Sequence, residues 1–168
     1  NQCQFEQREV EVDTESFASG IRNAMRQDPE IIFIGEIRDR ESIQAAMQAS
    51  ESGHLVLATF HADSASEAID RFRGFYSAEE QANASALLAR TLNVIICQRL
   101  IPSTFKPRVP CLEIIKRNLG VQDAILSNDL HLLNGHIESS IHEGMCSFDQ
   151  YLMQLYSSGR VDLATAKH

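Results

Sequence analysis

The residues best suited to chemistry are a glutamate and a histidine that each follow a short apolar run. Glu36 comes after Ile31 to Ile34, and His61 comes after Leu55 to Ala58. Uninterrupted apolar runs of this length are typical of strands buried on both faces of a parallel sheet. Because open α/β sheets place their ligands at the carboxyl ends of the strands, we expect both side chains at one functional edge.

A carboxylate at such an edge can polarise an attacking water and provide a hard oxygen near Mg²⁺. A structural ion pair from Glu36 to Arg38 or Arg40 is the competing interpretation. For His54 and His61, hydrogen-bonded packing competes with contact to a phosphate. The two histidines are seven residues apart on what reads as one strand. They are therefore predicted to point to opposite faces, which argues against a shared zinc ion.

The helices and strands that position these residues follow from local periodicity and capping residues. Up to residue 61, the predicted elements are a strand or hairpin arm over 5–12, a helix from Phe17 to the Asp28-Pro29 stop, the Ile31–Ile34 strand, a helix from Asp39 to Ser52 closed by Gly53, and the Leu55–Ala58 strand. A helix from Ser64 to near Gly74 follows, and then a helix or helix plus strand from the Ser77–Glu80 capping box to Arg99, with a buried run at Val94–Cys97. The last part is predicted to contain a turn or boundary over 102–110, a strand at Cys111–Ile115, and helices over 121–130, 131–142, 147–158 and 162–167. Strands that alternate with helices indicate an α/β fold with a parallel sheet.

Composition and missing motifs narrow the function classes. The net charge of −8 argues against a generic binder of nucleic acid or anionic membranes. None of the four cysteines forms a CxxC pair, which indicates reduced thiols in a cytoplasmic protein. No GxxxxGK[ST] phosphate loop and no G-x-S-x-G elbow occur in the 168 residues. The chain begins without Met, and we expect it to be a fragment of a longer protein.

Several stretches resemble a known family. The run QREVEVDTESFASGIRNAMRQDPEIIFIGEIRDRES (7–42) closely resembles the secretion ATPase superfamily, and within it the PilT/PilU branch of type IV pilus retraction motors. The run GHLVLATFHA (53–62) matches the family's His box. The runs AIDRF (68–72), CQRLIP (97–102) and GMCSFDQYL (144–152) follow the family in order and spacing. The similarity covers nearly the whole chain.

The resemblance implies roles for the residues that match these motifs. Glu36 would be the catalytic Walker B glutamate, and His61 would lie near the γ-phosphate of ATP. Mg²⁺ would be reached from Glu36 through water, with no direct protein ligand. Four further residues are implied in nucleotide sensing or support: His54, Thr59, Arg38 and Asp39.

The implied fold is α/β. A RecA-like P-loop ATPase core, with a partial and mostly parallel sheet, would occupy residues 1–103, and a strand plus a small C-terminal helical region would occupy 104–168. The implied assembly is a homo-hexamer with ATP and Mg²⁺ near subunit boundaries. Its implied partners are the inner-membrane platform protein of a pilus or secretion machine and a paralogous motor ATPase, without nucleic acid. The implied location is the cytoplasm, peripheral to the inner membrane of a bacterium.

Two departures from the family qualify this interpretation. The family's Walker A loop, Asp box and N-terminal domain would lie upstream of Asn1, so we expect the isolated chain to bind ATP poorly or not at all. The retraction-associated AIRNLIRE motif would fall at Gly120–Ser127, which reads GVQDAILS. Only the helical hydrophobic spacing is shared there, which favours a PilU-like or more distant secretion ATPase.

Three functions therefore stay open. The first is the C-terminal part of a motor ATPase. The second is a catalytically inactive subunit that acts as an interaction or regulatory module on such a motor. The third is a metal-dependent hydrolase that uses Glu36, His54 and His61.

Overall fold

The computed structural model describes residues 3–167, and the contacts divide the chain after Phe60 into two compact units. The first unit contains α1 (Phe17–Ala24), a 3-10 turn (Met25–Gln27), β1 (Ile31–Ile34), α2 (Arg40–Glu51) and β2 (Leu55–Ala58). The predicted α/β class is confirmed, and the bounds of β1 and β2 are those predicted from the two apolar runs.

The sheet of the first unit is a parallel pair. Ile31 lies opposite Leu55 and Ile34 lies opposite Ala58, and α2 forms the crossover that parallel strands require. Helices α1 and α2 pack against one face of this sheet. The buried residues of this core are Ala18, Ile21, Ile32, Ile34, Ala45, Ala46 and Ala49.

Short polar side chains and one glycine set the ends of these helices. Ser16 begins α1, where its hydroxyl accepts a hydrogen bond from the Ser19 amide at 3.1 Å. The predicted stop before Pro29 is confirmed, since Asp28 has a left-handed φ of 54°. Gly53 follows α2 with a φ of 101°, a conformation that favours glycine after a helix.

Two predictions about the first unit are wrong. Both strands are predicted to be buried on both faces, but Ile31 and Phe33 of β1 are 54% and 67% exposed, and Leu55 and Leu57 of β2 are each 45% exposed. The reason is that α1 and α2 both lie on the opposite face of the sheet. The predicted strand over 5–12 also does not form, because the chain closes into a turn in which the Asp13 amide donates to the Glu9 carbonyl at 2.8 Å.

The second unit is an antiparallel hairpin surrounded by helices. Its elements are α3 (Ala65–Gly74), α4 (Gln81–Thr91), β3 (Val94–Pro102), β4 (Arg108–Lys116), α5 (Leu119–Ser127), α6 (His131–Ser139), a 3-10 turn (Ile141–Glu143), α7 (Phe148–Ser157) and α8 (Leu163–Ala166). The helices predicted from Ser64 and after Gly120 are confirmed to within a few residues at their ends. α7 packs on β4, where Leu155 and Val161 join Val109 and Cys111 in a buried cluster.

The strands of this unit depart from the sequence-based prediction. β3 and β4 pair antiparallel from Val94 opposite Lys116 to Pro102 opposite Arg108, so the proline-rich segment contains a hairpin turn. The predicted buried run in β3 is wrong, because Cys97 is buried while Val94 and Ile96 are 43% and 60% exposed. The division predicted between residues 103 and 104 stays a prediction.

Ser77 and Glu80, which the sequence suggests as a capping box, form a hydrogen-bonded turn that leads into α4. The Glu80 carboxylate accepts hydrogen bonds from the Ser77 amide at 3.0 Å and from the Ser77 hydroxyl at 2.7 Å. The Glu80 amide donates to the Ser77 carbonyl at 2.9 Å. Glu80 is the N-cap residue of α4, which begins at Gln81.

Candidate functional site

The candidate site of the first unit is the turn that leaves the carboxyl end of β1. Gly35 and Glu36 follow the last strand residue, and Asp39 already caps the next helix. The Glu36 side chain is 18% exposed. A short turn between a strand and a helix thus places one partly exposed carboxylate at the edge where α/β sheets bind ligands.

Thr59, the first residue after β2, holds this turn by three hydrogen bonds. Its hydroxyl donates to the Gly35 carbonyl. Its amide donates to the Ile34 carbonyl at 3.3 Å, and its carbonyl accepts from the Ile37 amide at 3.1 Å. These bonds lie on both sides of Glu36, so the end of β2 sets the path of the backbone that carries the carboxylate.

Arg38, one of the two arginines that the sequence suggests for this role, forms an ion pair with Glu36. The Arg38 guanidinium donates to the same Glu36 carboxylate oxygen through Nε and Nη2. The hydrogen bond to Glu36 and its negative charge raise the pKa of Arg38 above its usual value. The Arg38 side chain is 72% exposed, so water screens the pair and it contributes little to folding.

Asp39 acts on the helix rather than on Glu36. Its Oδ1 accepts from the Ser42 amide at 2.8 Å, and its Oδ2 accepts from the Ser42 hydroxyl at 2.9 Å. This arrangement satisfies an amide that would otherwise have no partner in the first turn of α2. Asp39 therefore fixes where the turn that contains Glu36 ends.

His54 lies at the amino end of β2, roughly 10 Å of strand away from the carboxyl end. Its Nδ1 is 3.1 Å from the Ala49 carbonyl oxygen and 3.1 Å from the Ser52 hydroxyl. Because a carbonyl only accepts, Nδ1 must carry a proton and donate to Ala49. The structure therefore places His54 at the end of α2 and not beside Glu36, and its predicted part in nucleotide sensing stays a prediction.

His61 belongs to the second unit and lies three residues before Ser64, the N-cap of α3. The prediction that both histidines lie on one strand is wrong, because β2 spans Leu55–Ala58 and both residues lie outside it. His61 is exposed. Its role in catalysis stays a prediction.

The segment that follows His61 is anchored by residues that sequence reasoning missed. The Asp63 amide donates to Glu67 at 2.7 Å, and its carbonyl accepts from Arg99 at 3.1 Å. The Ala65 amide donates to the buried Glu113 carboxylate at 2.8 Å. Glu113 is the only charged residue in the otherwise apolar run 109–115 of β4, and this break in the pattern is the signal that could have identified it.

Glu67 is held in its ionised form by the same segment. The Asp63 amide and the Arg71 guanidinium both donate to its carboxylate, and together they lower the pKa of Glu67 below its usual value. The Arg71 guanidinium lies 2.7 Å from the carboxylate, one helical turn along α3.

The donor set around Glu36 fits a water-mediated contact to Mg²⁺. Mg²⁺ usually keeps several waters and takes one or two carboxylates together with substrate phosphates. Within residues 3–167, no group of three or more His, Cys, Asp or Glu side chains is arranged to hold a metal ion. The metal-hydrolase hypothesis requires His54 beside Glu36, whereas the two residues lie at opposite ends of the parallel strand pair.

In residues 3–167, no helix has the length and apolar character needed to cross a membrane.

Comparison with known proteins gives concordant matches. A family model described as Type II/IV secretion system protein matches residues 1–131. The chain is 37% identical over 160 residues to the type IV pilus ATPase PilU of Pseudomonas aeruginosa, and this alignment covers 95% of the chain and 42% of PilU. It is 35% identical over 165 residues to the type IV pilus retraction ATPase PilT of the same organism, and this alignment covers 98% of the chain and 48% of PilT.

A solved structure agrees with these matches. The crystal structure of the pilus retraction motor PilT with bound ADP superposes with a TM-score of 0.84 at 35% identity, over 96% of this chain and 45% of that one. The chain thus spans less than half the length of each of these relatives.

Proposed function

This chain belongs to the family of type II/IV secretion system proteins, and we propose that it forms the C-terminal part of a motor ATPase. In this proposal the motor couples ATP hydrolysis to retraction of a type IV pilus or to a related secretion process. The similarity to PilU and PilT supports it at the level of the family. The GVQDAILS sequence of α5 favours a PilU-like or more distant secretion ATPase.

The observation that carries the proposal is the position of Glu36. It is the first carboxylate after β1, it is partly exposed, and Thr59 fixes the backbone on both sides of it. Hydrolysis of a phosphoanhydride requires a group that orients the attacking water and accepts its proton in the transition state. A carboxylate held on a rigid strand end meets that requirement better than one on a long loop.

The chain's own residues take three roles in this proposal. Glu36 accepts the proton of the attacking water. His61 contacts the γ-phosphate, where an imidazole can donate a hydrogen bond to a phosphate oxygen. Thr59 and Asp39 position the turn between β1 and α2. ATP with Mg²⁺, when bound, supplies the phosphoryl group and part of the charge neutralisation.

The remaining features of the proposal concern the assembly. We propose a homo-hexamer that works on the cytoplasmic side of a bacterial inner membrane, with a platform protein of the pilus or secretion machine and a paralogous motor ATPase as partners. The net charge of −8 argues against nucleic acid as a partner.

The test compares Mg²⁺-ATP hydrolysis by this chain with hydrolysis by a version extended upstream through a GxxxxGK[ST] loop. We expect turnover only in the longer version, because the phosphate-binding loop holds the β- and γ-phosphates. Absence of turnover in a longer version that is folded and hexameric would instead indicate a structural or regulatory subunit. Zinc bound at one ion per chain, measured by elemental analysis, would revive the metal-hydrolase hypothesis.

A further inference from the structure

The β3–β4 hairpin contacts the segment after His61 through two charged side chains. We propose that Glu113, together with Arg99, is a positioning residue for His61, so that the hairpin and α7 control the histidine through the backbone of residues 63–65. This inference rests on the proposed function, because it assigns a purpose to contacts around a residue that the proposal places at the γ-phosphate.

Glu113 carries most of the argument because it is a buried carboxylate. It is 7% exposed, and its Oε1 accepts a hydrogen bond from the Ala65 amide at 2.8 Å. A carboxylate is costly to bury unless it is paired with strong donors. The first turn of α3 offers such donors, since its amides lack partners within the helix and the helix dipole favours negative charge there.

The charge of Glu113 also acts on Cys97, which lies opposite it on β3. Burial and the nearby carboxylate of Glu113 together raise the pKa of the Cys97 thiol to about 11. Loss of the negative charge of Glu113 should weaken the hydrogen bond that the Ala65 amide donates to it at the start of α3.

Arg99 makes a second contact two residues earlier in the same segment. Its Nη2 donates to the Asp63 carbonyl at 3.1 Å, while its Cζ lies 4.1 Å from the centroid of the Phe148 ring. Phe148 is the first residue of α7. The guanidinium therefore links the C-terminal helical region to the backbone just after His61.

These contacts leave the segment few alternative conformations. The Asp63 amide is already bonded to Glu67 at 2.7 Å, and the Ser64 hydroxyl accepts from the Glu67 amide at 3.2 Å. With Arg99 on the Asp63 carbonyl and Glu113 on the Ala65 amide, the backbone of three consecutive residues is bonded to α3, β3 and β4. A rigid segment of this kind limits the positions open to His61, which lies two residues before it, and a displacement of about 1 Å in a catalytic group can cost a hundredfold in rate.

The first experiment is a double-mutant cycle in the full-length protein that contains this chain. Glu113→Gln keeps the shape but removes the charge, and Arg99→Lys keeps the charge but removes the planar, stacked donor. We expect each to lower kcat by roughly tenfold or more while the Kd for ATP stays unchanged. Glu138→Gln and Arg108→Lys, both exposed in the second unit, are matched controls and should behave as wild type.

The cycle separates positioning of His61 from general stabilisation. In a His61→Ala background we expect Glu113→Gln to cause no further fall in kcat, because the group through which it acts is gone. An equal fall in both backgrounds, or an unchanged kcat in the wild-type background, overturns the inference.

The second experiment does not depend on activity. Hydrogen exchange at the amides of residues 63–67 should be faster in Glu113→Gln than in Glu138→Gln, with exchange in α5 and α6 unchanged. Equal exchange in the two variants overturns the inference even if the enzyme is active. Faster exchange in a protein whose wild type does not hydrolyse ATP would overturn the proposed function and, with it, the catalytic consequence of the contact.

Discussion

The hydroxyl of Thr59 donates a hydrogen bond to the backbone carbonyl of Gly35, the residue immediately before Glu36. Thr59 follows β2 and Gly35 follows β1, so this bond joins the carboxyl ends of the two parallel strands. The Thr59 main chain adds bonds to Ile34 and Ile37. The position of the proposed catalytic carboxylate therefore depends on the neighbouring strand as well as on its own.

Replacement of Thr59 by valine should lower turnover. Thr59→Val keeps the branched shape and removes the hydroxyl, so we expect kcat for ATP to fall by roughly tenfold with an unchanged Kd, and stability to fall by about 1 kcal/mol. Thr59→Ser retains the donor and serves as the control. If Thr59→Val and Thr59→Ser hydrolyse ATP equally fast, the hydroxyl does not position Glu36.

Replacement of Asp39 should affect folding more than chemistry. Asp39→Ala removes the N-cap of α2 and should destabilise the first unit by about 1 kcal/mol, whereas Asp39→Asn keeps a side-chain acceptor and should cost much less. Urea unfolding followed by circular dichroism measures the difference. A loss of hydrolysis in Asp39→Asn at unchanged stability would show that the charge, and not the cap, matters.

His54 is expected to act as a support for α2. His54→Ala removes the donor to the Ala49 carbonyl, which should reduce stability by about 1 kcal/mol and leave the kcat of the folded enzyme near that of wild type. His131→Ala, at an exposed position on α6, is the control. A large fall in kcat with no fall in melting temperature would instead assign His54 to the nucleotide.

The cysteines should differ in their reaction with a thiol reagent. Cys3 is exposed, whereas Cys97, Cys111 and Cys146 are buried. Burial raises the pKa of Cys97 to about 11, so at pH 8 its thiol is protonated and unreactive, and its labelling should accelerate as the pH rises toward that value. Mass spectrometry after a short exposure at pH 8 should find Cys3 modified first. Rapid labelling of native Cys97 at pH 8 would contradict the packing of the hairpin.

Local features of the fold could be predicted because local residues determine them. The bounds of β1 and β2 follow from the two apolar runs, and the limits of α2 follow from Asp39 and Gly53. Each of these signals lies within a few residues of the feature that it controls. The position of Glu36 at the end of β1 follows for the same reason.

The features that sequence reasoning missed all depend on distant partners. Phe33 is exposed because both helices of the first unit pack on the other face of β1, which no periodicity reveals. The prolines at 102–110 predict a boundary where the structure has the turn of the β3–β4 hairpin, because the residues of one strand do not show which strand it pairs with. Glu113 contacts Ala65 across 48 residues of sequence, so its role requires the fold.

The most direct test of the account is Glu36→Gln in the longer, phosphate-loop-containing protein. We predict that hydrolysis of Mg²⁺-ATP is lost while ATP binding is retained, because the amide keeps the shape but cannot accept the proton of the attacking water. Glu41→Gln, an exposed carboxylate in the first turn of α2, should hydrolyse ATP as wild type does. Hydrolysis by Glu36→Gln at a rate near wild type would show that Glu36 is not the catalytic carboxylate.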